Sequence, residues 1–169
     1  MVILTKRDNM IELIDAEFLV EEKLDERYVD SPFKHLKPMH AKQKGSRFEK
    51  IVSGVLTKLG HTVRKAENSD HDRIINGVKV EIKGATLVKK KNLFSFLQIR
   101  PDQDYCLMMF AMFYPNDFVL MEMKKEQIVK NVELGIFKKQ HEGKAGSSKT
   151  YYYYGTKETL LTIGATFVK

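Results

Sequence analysis

The sequence predicts an α/β fold, a mixed central β-sheet flanked by helices, and three observations predict it. The segment SRFEKIVSGVLTKLG, residues 46–60, repeats apolar residues at helical spacing. An Asn76-Gly77 pair divides two β-prone runs in DHDRIINGVKVEIKG, which is the strongest short hairpin signal. Three more β-prone runs follow, FSFLQIR, DYCLMMFAMFY and DFVLMEM, before the helical fragment KKEQIVKNVE. Helix, several strands and helix in that order require a sheet with helices packed on it.

Each element has its own signal. Residues 9–28 place Ile11, Ile14, Phe18 and Leu24 at roughly helical spacing between acids, so an acidic amphipathic helix is expected there. SPFKHLKPMHAKQKG, residues 31–45, has two prolines and a closing glycine and reads as a basic arm. Its His35 and His40 have no thiol nearby to complete a metal site. Ser46 and Glu49 fit a capping box for the next helix, whose apolar face is Phe48, Ile51, Val52, Val55, Leu56 and Leu59, with Gly60 as the stop. HTVRKA reads as a short strand. Towards the C-terminus EGKAGSSKT is a basic loop, and YYYYGT with TLLTIGATFV reads as a terminal strand pair. No internal repeat is visible. These pieces give one domain over 1–169: an acidic helix (1–30), a basic arm (31–45), a core of helix and strands (46–135), and a C-terminal basic loop with strands (136–169).

At 169 residues and 43% apolar content the chain has enough material for one core. No apolar run is long enough to span a membrane, and the apolar patch at the N-terminus is too short for a signal peptide, so a cytoplasmic, nucleoid or nuclear location is expected. The single cysteine, Cys106, rules out an internal disulfide and sits against an apolar run, as a buried core thiol would. The net charge of +7 is unevenly spread: residues 1–30 carry −5 and residues 31–169 carry +12. Lys42, Lys44, Arg47, Lys89, Lys90, Lys91, Lys144 and Lys149 fall in basic clusters suited to a phosphate backbone. Solvated surface lysines are the plainer reading of the same clusters.

The hairpin carries the chemistry. Counting outward from Asn76-Gly77, Ile75 faces Val78, Ile74 faces Lys79, Arg73 faces Val80, and Asp72 faces Glu81. Alternation puts Val78, Val80 and Ile82 on a core face and Lys79, Glu81 and Lys83 on the other. Directly opposed β-carbons lie about 5 Å apart. Two carboxylates that close repel by roughly 3 kcal/mol at an effective dielectric near 20. A divalent cation reverses the sign, since Mg²⁺ takes one or two carboxylates plus waters and phosphate oxygens. Lys83 on the same face brings an ammonium that offsets phosphate charge or assists a water. The plainer alternative is a surface ladder in which Asp70 pairs with Lys83 and Glu81 with Lys79 or Arg73.

Asp72, eight intervening residues, and Glu81-Ile82-Lys83 resemble the PD-(D/E)xK nuclease superfamily, over about residues 46–130. The resemblance implies a restriction-endonuclease-like core ordered helix, three strands, helix, strand, with a C-terminal β extension in this chain. It implies Mg²⁺, for which Mn²⁺ can substitute, bound by Asp72 and Glu81, with Lys83 assisting the attacking water and Glu49 supporting the site from the first helix. His71 stands where the family often has proline. The implied activity is hydrolysis of double-stranded DNA by a type II restriction endonuclease, commonly a homodimer, for which the N-terminal helix is a candidate contact. A Holliday-junction resolvase or repair nuclease of the same core, and a DNA-binding module without catalysis, are the alternatives.

Other residues have plainer explanations. Asp70 replaces Asp72 only if the register slips by two. His71 is expected on the core face as a hydrogen-bonded strand-end residue. Gln98 shares a face with Phe94 and Phe96. Two of the four tyrosines 151–154 point outward, able to meet bases or phosphates or to form an aromatic strand edge.

Overall fold

The computed structural model describes residues 25–140 and 149–168, so the helix expected over 9–28 lies almost wholly outside the described residues. The chain is α/β, with a six-stranded mixed sheet and a smaller three-stranded one. The first long helix, α1 (Ala41–Lys58), buries Phe48, Val52 and Leu56, four residues apart on one stripe. It ends on Gly60 at φ +92°, with the His61 amide donating to the Leu56 carbonyl, a glycine stop of the expected kind.

Among the described residues nine strands follow: β1 (Val63–Lys65), β2 (Arg73–Ile75), β3 (Val78–Thr86), β4 (Phe94–Ile99), β5 (Leu107–Phe113), β6 (Phe118–Lys124), β7 (Lys138–Lys139), β8 (Tyr151–Gly155) and β9 (Thr166–Phe167). Two short helices, α2 (Lys125–Glu133) and α3 (Lys157–Thr162), interrupt the later ones. The large sheet runs β1-β2-β3-β5-β6-β9, and the small one β4-β8-β7. Within the large sheet β3 and β5 are parallel and the other pairs antiparallel. Met108, Phe110 and Met112 of β5 belong to one buried cluster, and Met109, Ala111 and Phe113 to another. A strand covered on both faces has no use for alternation, which explains the unbroken run MMFAMF. One cluster lies under α1. The other includes Phe94, Phe96 and Tyr153 from the small sheet.

Several expectations need correction. Residues 41–45 are the first turns of α1, so Ser46 and Glu49 lie inside the helix and form no capping box; His40 precedes it without a side-chain cap. The preceding basic stretch is integral to the fold, because Leu36 is fully buried and a short 3₁₀ turn spans Lys34–Leu36. Asp25 accepts from Arg27 at 2.7 Å and pairs with Lys37 at 3.2 Å, while Arg27 donates to the Val88 and Lys91 carbonyls and Lys37 to that of Leu87. Tyr28 completes this strap, its hydroxyl donating to the Phe113 carbonyl at 2.5 Å and accepting from the Leu87 amide at 2.9 Å. YYYYG forms β8 as expected, but TLLT lies in α3, started by a Thr156–Thr159 capping box, and the two-residue β9 that remains joins the other sheet, so the expected pair is not made. Cys106 is exposed, one residue before β5. Six strands separate α1 from α2, where the expected core has three, and β4 leaves the large sheet altogether.

Candidate active site

The β2–β3 register is the one counted from the turn: Arg73 opposite Val80, Ile74 opposite Lys79, Ile75 opposite Val78. Asn76 (φ +50°) and Gly77 (φ +83°) supply the two positive φ values that the tight turn demands. At Asp72 the ladder departs from this pattern. Its amide donates to the Val80 carbonyl, and its carboxylate accepts from the Ile82 amide at 2.7 Å. The side chain thus replaces a main-chain partner where β2 gives out, and is oriented by that bond.

Val80 and Ile82 face α1, whereas Glu81, Lys83 and Ala85 face the cluster shared with the small sheet. Val78, expected in the core, is exposed beside the turn. Glu81 is only 6% exposed. Lys83 Nζ lies 2.7 Å from its Oε1. Burial pushes the Glu81 carboxyl above its ordinary range; Lys83 opposes this, and the charge and hydrogen bonding of Asp72 add to it. Asp72, Glu81 and Lys83 therefore converge. The surface ladder is not formed: Lys79 pairs with Asp104, Arg73 with Glu49, and Lys83 with Glu81.

Glu49 approaches from α1 but is held by Arg73 at 3.2 Å. Burial raises its carboxyl first, and the charge of Asp72 second, so it senses the pair without joining it. Asp70 lies in the loop before β2, its amide bonded to the Asn68 side chain. Among the described residues no three His, Cys, Asp or Glu side chains gather around one point. Two carboxylates with one ammonium on Glu81 match the sparse protein contribution that Mg²⁺ accepts, and fall short of a zinc or calcium cage. The residues present therefore fit a magnesium-type ion held by Asp72 and Glu81.

Two buried polar groups stand at this site: His71 is on the core side as expected, and Tyr105 was not marked by the sequence. His71, directly before Asp72, is 3% exposed, and neither ring nitrogen has a partner among the described residues, contrary to the hydrogen-bonded role expected of it. The hydroxyl of Tyr105 is buried and likewise unpartnered among them; burial, then the charge of Glu81, keeps it from ionising. Only its burial marks Tyr105, and burial of a lone polar residue leaves no local pattern in a sequence. Gln98 is exposed, at φ +55° in a bulge of β4 that breaks its alternation with Phe94 and Phe96. Of the basic candidates, Lys42, Arg47, Lys89, Lys90, Lys91 and Lys149 are exposed. Lys44 is part-buried, with Nζ donating to the Lys37 carbonyl, and Lys144 lies outside the described residues. His35 and His40 are both exposed. A concavity of about 530 Å³ lies on the α1 side of the large sheet, lined by Ile75, Val80, Met109 and Phe167, and includes none of Glu49, Asp72, Glu81 or Lys83.

No family model matches the chain, and no curated protein matches it in sequence. Among solved structures, that of a bacterial homing endonuclease aligns with 70% of this chain and 76% of its own, at 12% identity and a TM-score of 0.45. A likeness of that size assigns neither family nor activity. None of the described helices is long and apolar enough to cross a membrane.

Proposed function

We propose that the protein is a Mg²⁺-dependent DNA endonuclease of the PD-(D/E)xK type, with Asp72, Glu81 and Lys83 as its catalytic residues and Glu49 in support. One observation carries the reading: two carboxyls, one of them buried, are brought together with an ammonium 2.7 Å from Glu81. Unaided, this arrangement is unfavourable, since burial and the neighbouring acid both oppose the ionised Glu81.

A divalent cation held by Asp72 and Glu81 supplies Lewis-acid polarisation of the phosphodiester and activation of water. The protein's own contribution is positional. The Ile82 amide fixes the Asp72 carboxylate, and burial fixes Glu81. Lys83 Nζ, charged in its pair with Glu81, would offset phosphate charge and orient the attacking water. Arg73 keeps Glu49 close to Asp72 without making it a third acid in the pair. Within this class a type II restriction enzyme, acting as a homodimer on double-stranded DNA, is the specific reading; Mn²⁺ should substitute for Mg²⁺.

Supercoiled plasmid incubated with Mg²⁺, and separately with EDTA, tests it. Wild type should nick or linearise plasmid only with the metal. Lys83→Ala and Glu81→Gln should lose activity by about a thousandfold, as removal of a catalytic group does, while keeping the wild-type circular dichroism. Plasmid equally intact with wild type and Lys83→Ala across divalent ions would end the enzyme reading. Discrete fragments support restriction, whereas preference for branched DNA replaces it with junction resolution.

A further inference from the structure

The small sheet is an unusual place in this molecule electrostatically. Residues 89–100, which lead into and form β4, contain four bases and no acid. Residues 138–140 and 149–155, which contain β7 and β8, contain three bases and no acid. The rest of the chain holds 22 bases and 22 acids, so the whole net charge of +7 belongs to the segments that build this sheet.

Its two faces differ in kind. Phe94, Phe96 and Tyr153 point inward and are buried against the large sheet. The other face carries Tyr154 opposite Ser95, and Tyr152 opposite Lys138. Tyr152 and Tyr154 meet edge to face at 5.2 Å, and Tyr154 is 53% exposed. An exposed ring costs solvation without contributing to a core, so Tyr154, backed by the half-buried Tyr152 and with Lys138 beside them, is suited to meet a partner.

We infer that this outer face is a docking surface for double-stranded DNA, with the tyrosine pair and Lys138 against the duplex and Lys149 on its phosphates. Neighbouring strands lie about 4.8 Å apart, so three span roughly 10 Å, within the major groove's width of about 12 Å. A β-ribbon in that groove is an established mode of reading DNA. Glu81 and Lys83 project from the same side of the large sheet that the small sheet covers, since Phe96 packs on Phe110, the register partner of Lys83. The small sheet itself lies between this outer face and those two residues, so DNA bound there reaches the acids only past the edge of the sheet. As a substrate surface this face rests on the nuclease reading, yet its binding of DNA stands or falls without cleavage.

Fluorescence anisotropy on a labelled 30-base-pair duplex, in EDTA so that cleavage plays no part, tests it. Lys138→Ala with Lys149→Ala should weaken binding and lower the magnitude of the log–log salt slope by about 1.8, close to 0.9 for each phosphate no longer neutralised. Tyr152→Ala with Tyr154→Ala should bind about tenfold more weakly with the slope unchanged, as removal of uncharged groups from the interface predicts. Tyr152→Phe with Tyr154→Phe keeps the rings and guards against misfolding; it should retain at least part of the affinity. Duplex affinity unchanged in both the lysine and the tyrosine pairs overturns the proposal, as does tighter binding of single strands or RNA by the same face. Binding abolished in these pairs from a protein that never cleaves retains the surface and removes the nuclease. Cleavage with unaltered binding in the pairs does the reverse.

Discussion

Gly84 sits in β3 directly after Lys83, and the ring of Phe48 from α1 lies over it. A β-carbon added at Gly84 would stand 2.2 Å from Phe48 Cγ, 2.3 Å from Cδ2 and 2.6 Å from Cβ. Ring rotation cannot relieve a clash that includes Cβ, and the ring is stacked on Phe113 at a centroid distance of 4.7 Å. Gly84→Ala must therefore lift α1 from the sheet by about an ångström, which places its cost at the upper end of overpacking, about 3 kcal/mol. For a chain of this size that is a fall in Tm of about 6–12 °C. Phe48→Ala alone should cost about 3–5 kcal/mol through the cavity it opens. The double variant should be less destabilised than the two costs combined by at least about 1 kcal/mol, because the new methyl enters the space the ring leaves. Thermal and urea unfolding followed by circular dichroism read all four proteins. A Gly84→Ala protein melting within about 2 °C of wild type, or strictly additive costs, would refute this packing. On the nuclease reading, activity should fall with stability, since the lift moves Glu49 away from Arg73 and Asp72.

The strap gives two further predictions. The Asp25 carboxyl is held well below the ordinary carboxylate range, chiefly by its hydrogen bond to Arg27, with burial opposing and Lys37 assisting. A lowered folded-state value stabilises the protein above the ordinary value of 3.8 and is lost on acidification. Asp25→Asn should thus melt below wild type at pH 7, with the gap narrowing below about pH 4 in a pH series of melting curves; a gap constant with pH would contradict this pairing. Tyr28→Phe removes one hydroxyl that serves two buried backbone groups. About 2 kcal/mol of destabilisation is expected from those unpaired groups, and amide exchange at Leu87 should accelerate. Unchanged exchange there would mean that the hydroxyl is not holding the loop.

The parts legible in sequence were those whose cause is local. Asn76-Gly77 sets its own turn geometry, and two-residue periodicity then sets the register as far as Arg73, so Asp72 and Glu81 were placed near one another by counting. The run DYCLMMFAMFY was legible as a strand. What failed had a distant cause. Residues 41–45 look like a linker because their bases and Gly45 carry no helical stripe, but Leu36 is buried against α1's cluster and Lys44 bonds back to Lys37, so the fold extends the helix. The β-branched TLLT favoured a strand, while the Thr156–Thr159 capping box, which was there to be read, decides for helix. Cys106 is exposed because the chain at that point is only arriving at β5: its amide bonds to Lys79 and its side chain has not yet entered the core. The unpartnered ring of His71, the burial of Tyr105, and the departure of β4 into a second sheet depend on strands far apart in the chain.

The bond from the Ile82 amide to Asp72 has an evolutionary consequence. Because this carboxylate closes the hairpin where main-chain pairing stops, a descendant that had abandoned all chemistry would still gain by keeping an acid or amide at this position. Persistence of Asp72 among relatives would then be a poor witness to activity. Lys83, whose ion pair is with Glu81, has no such second employment in the backbone. Its loss in a lineage would be the sign that selection there had let catalysis go while the fold was kept.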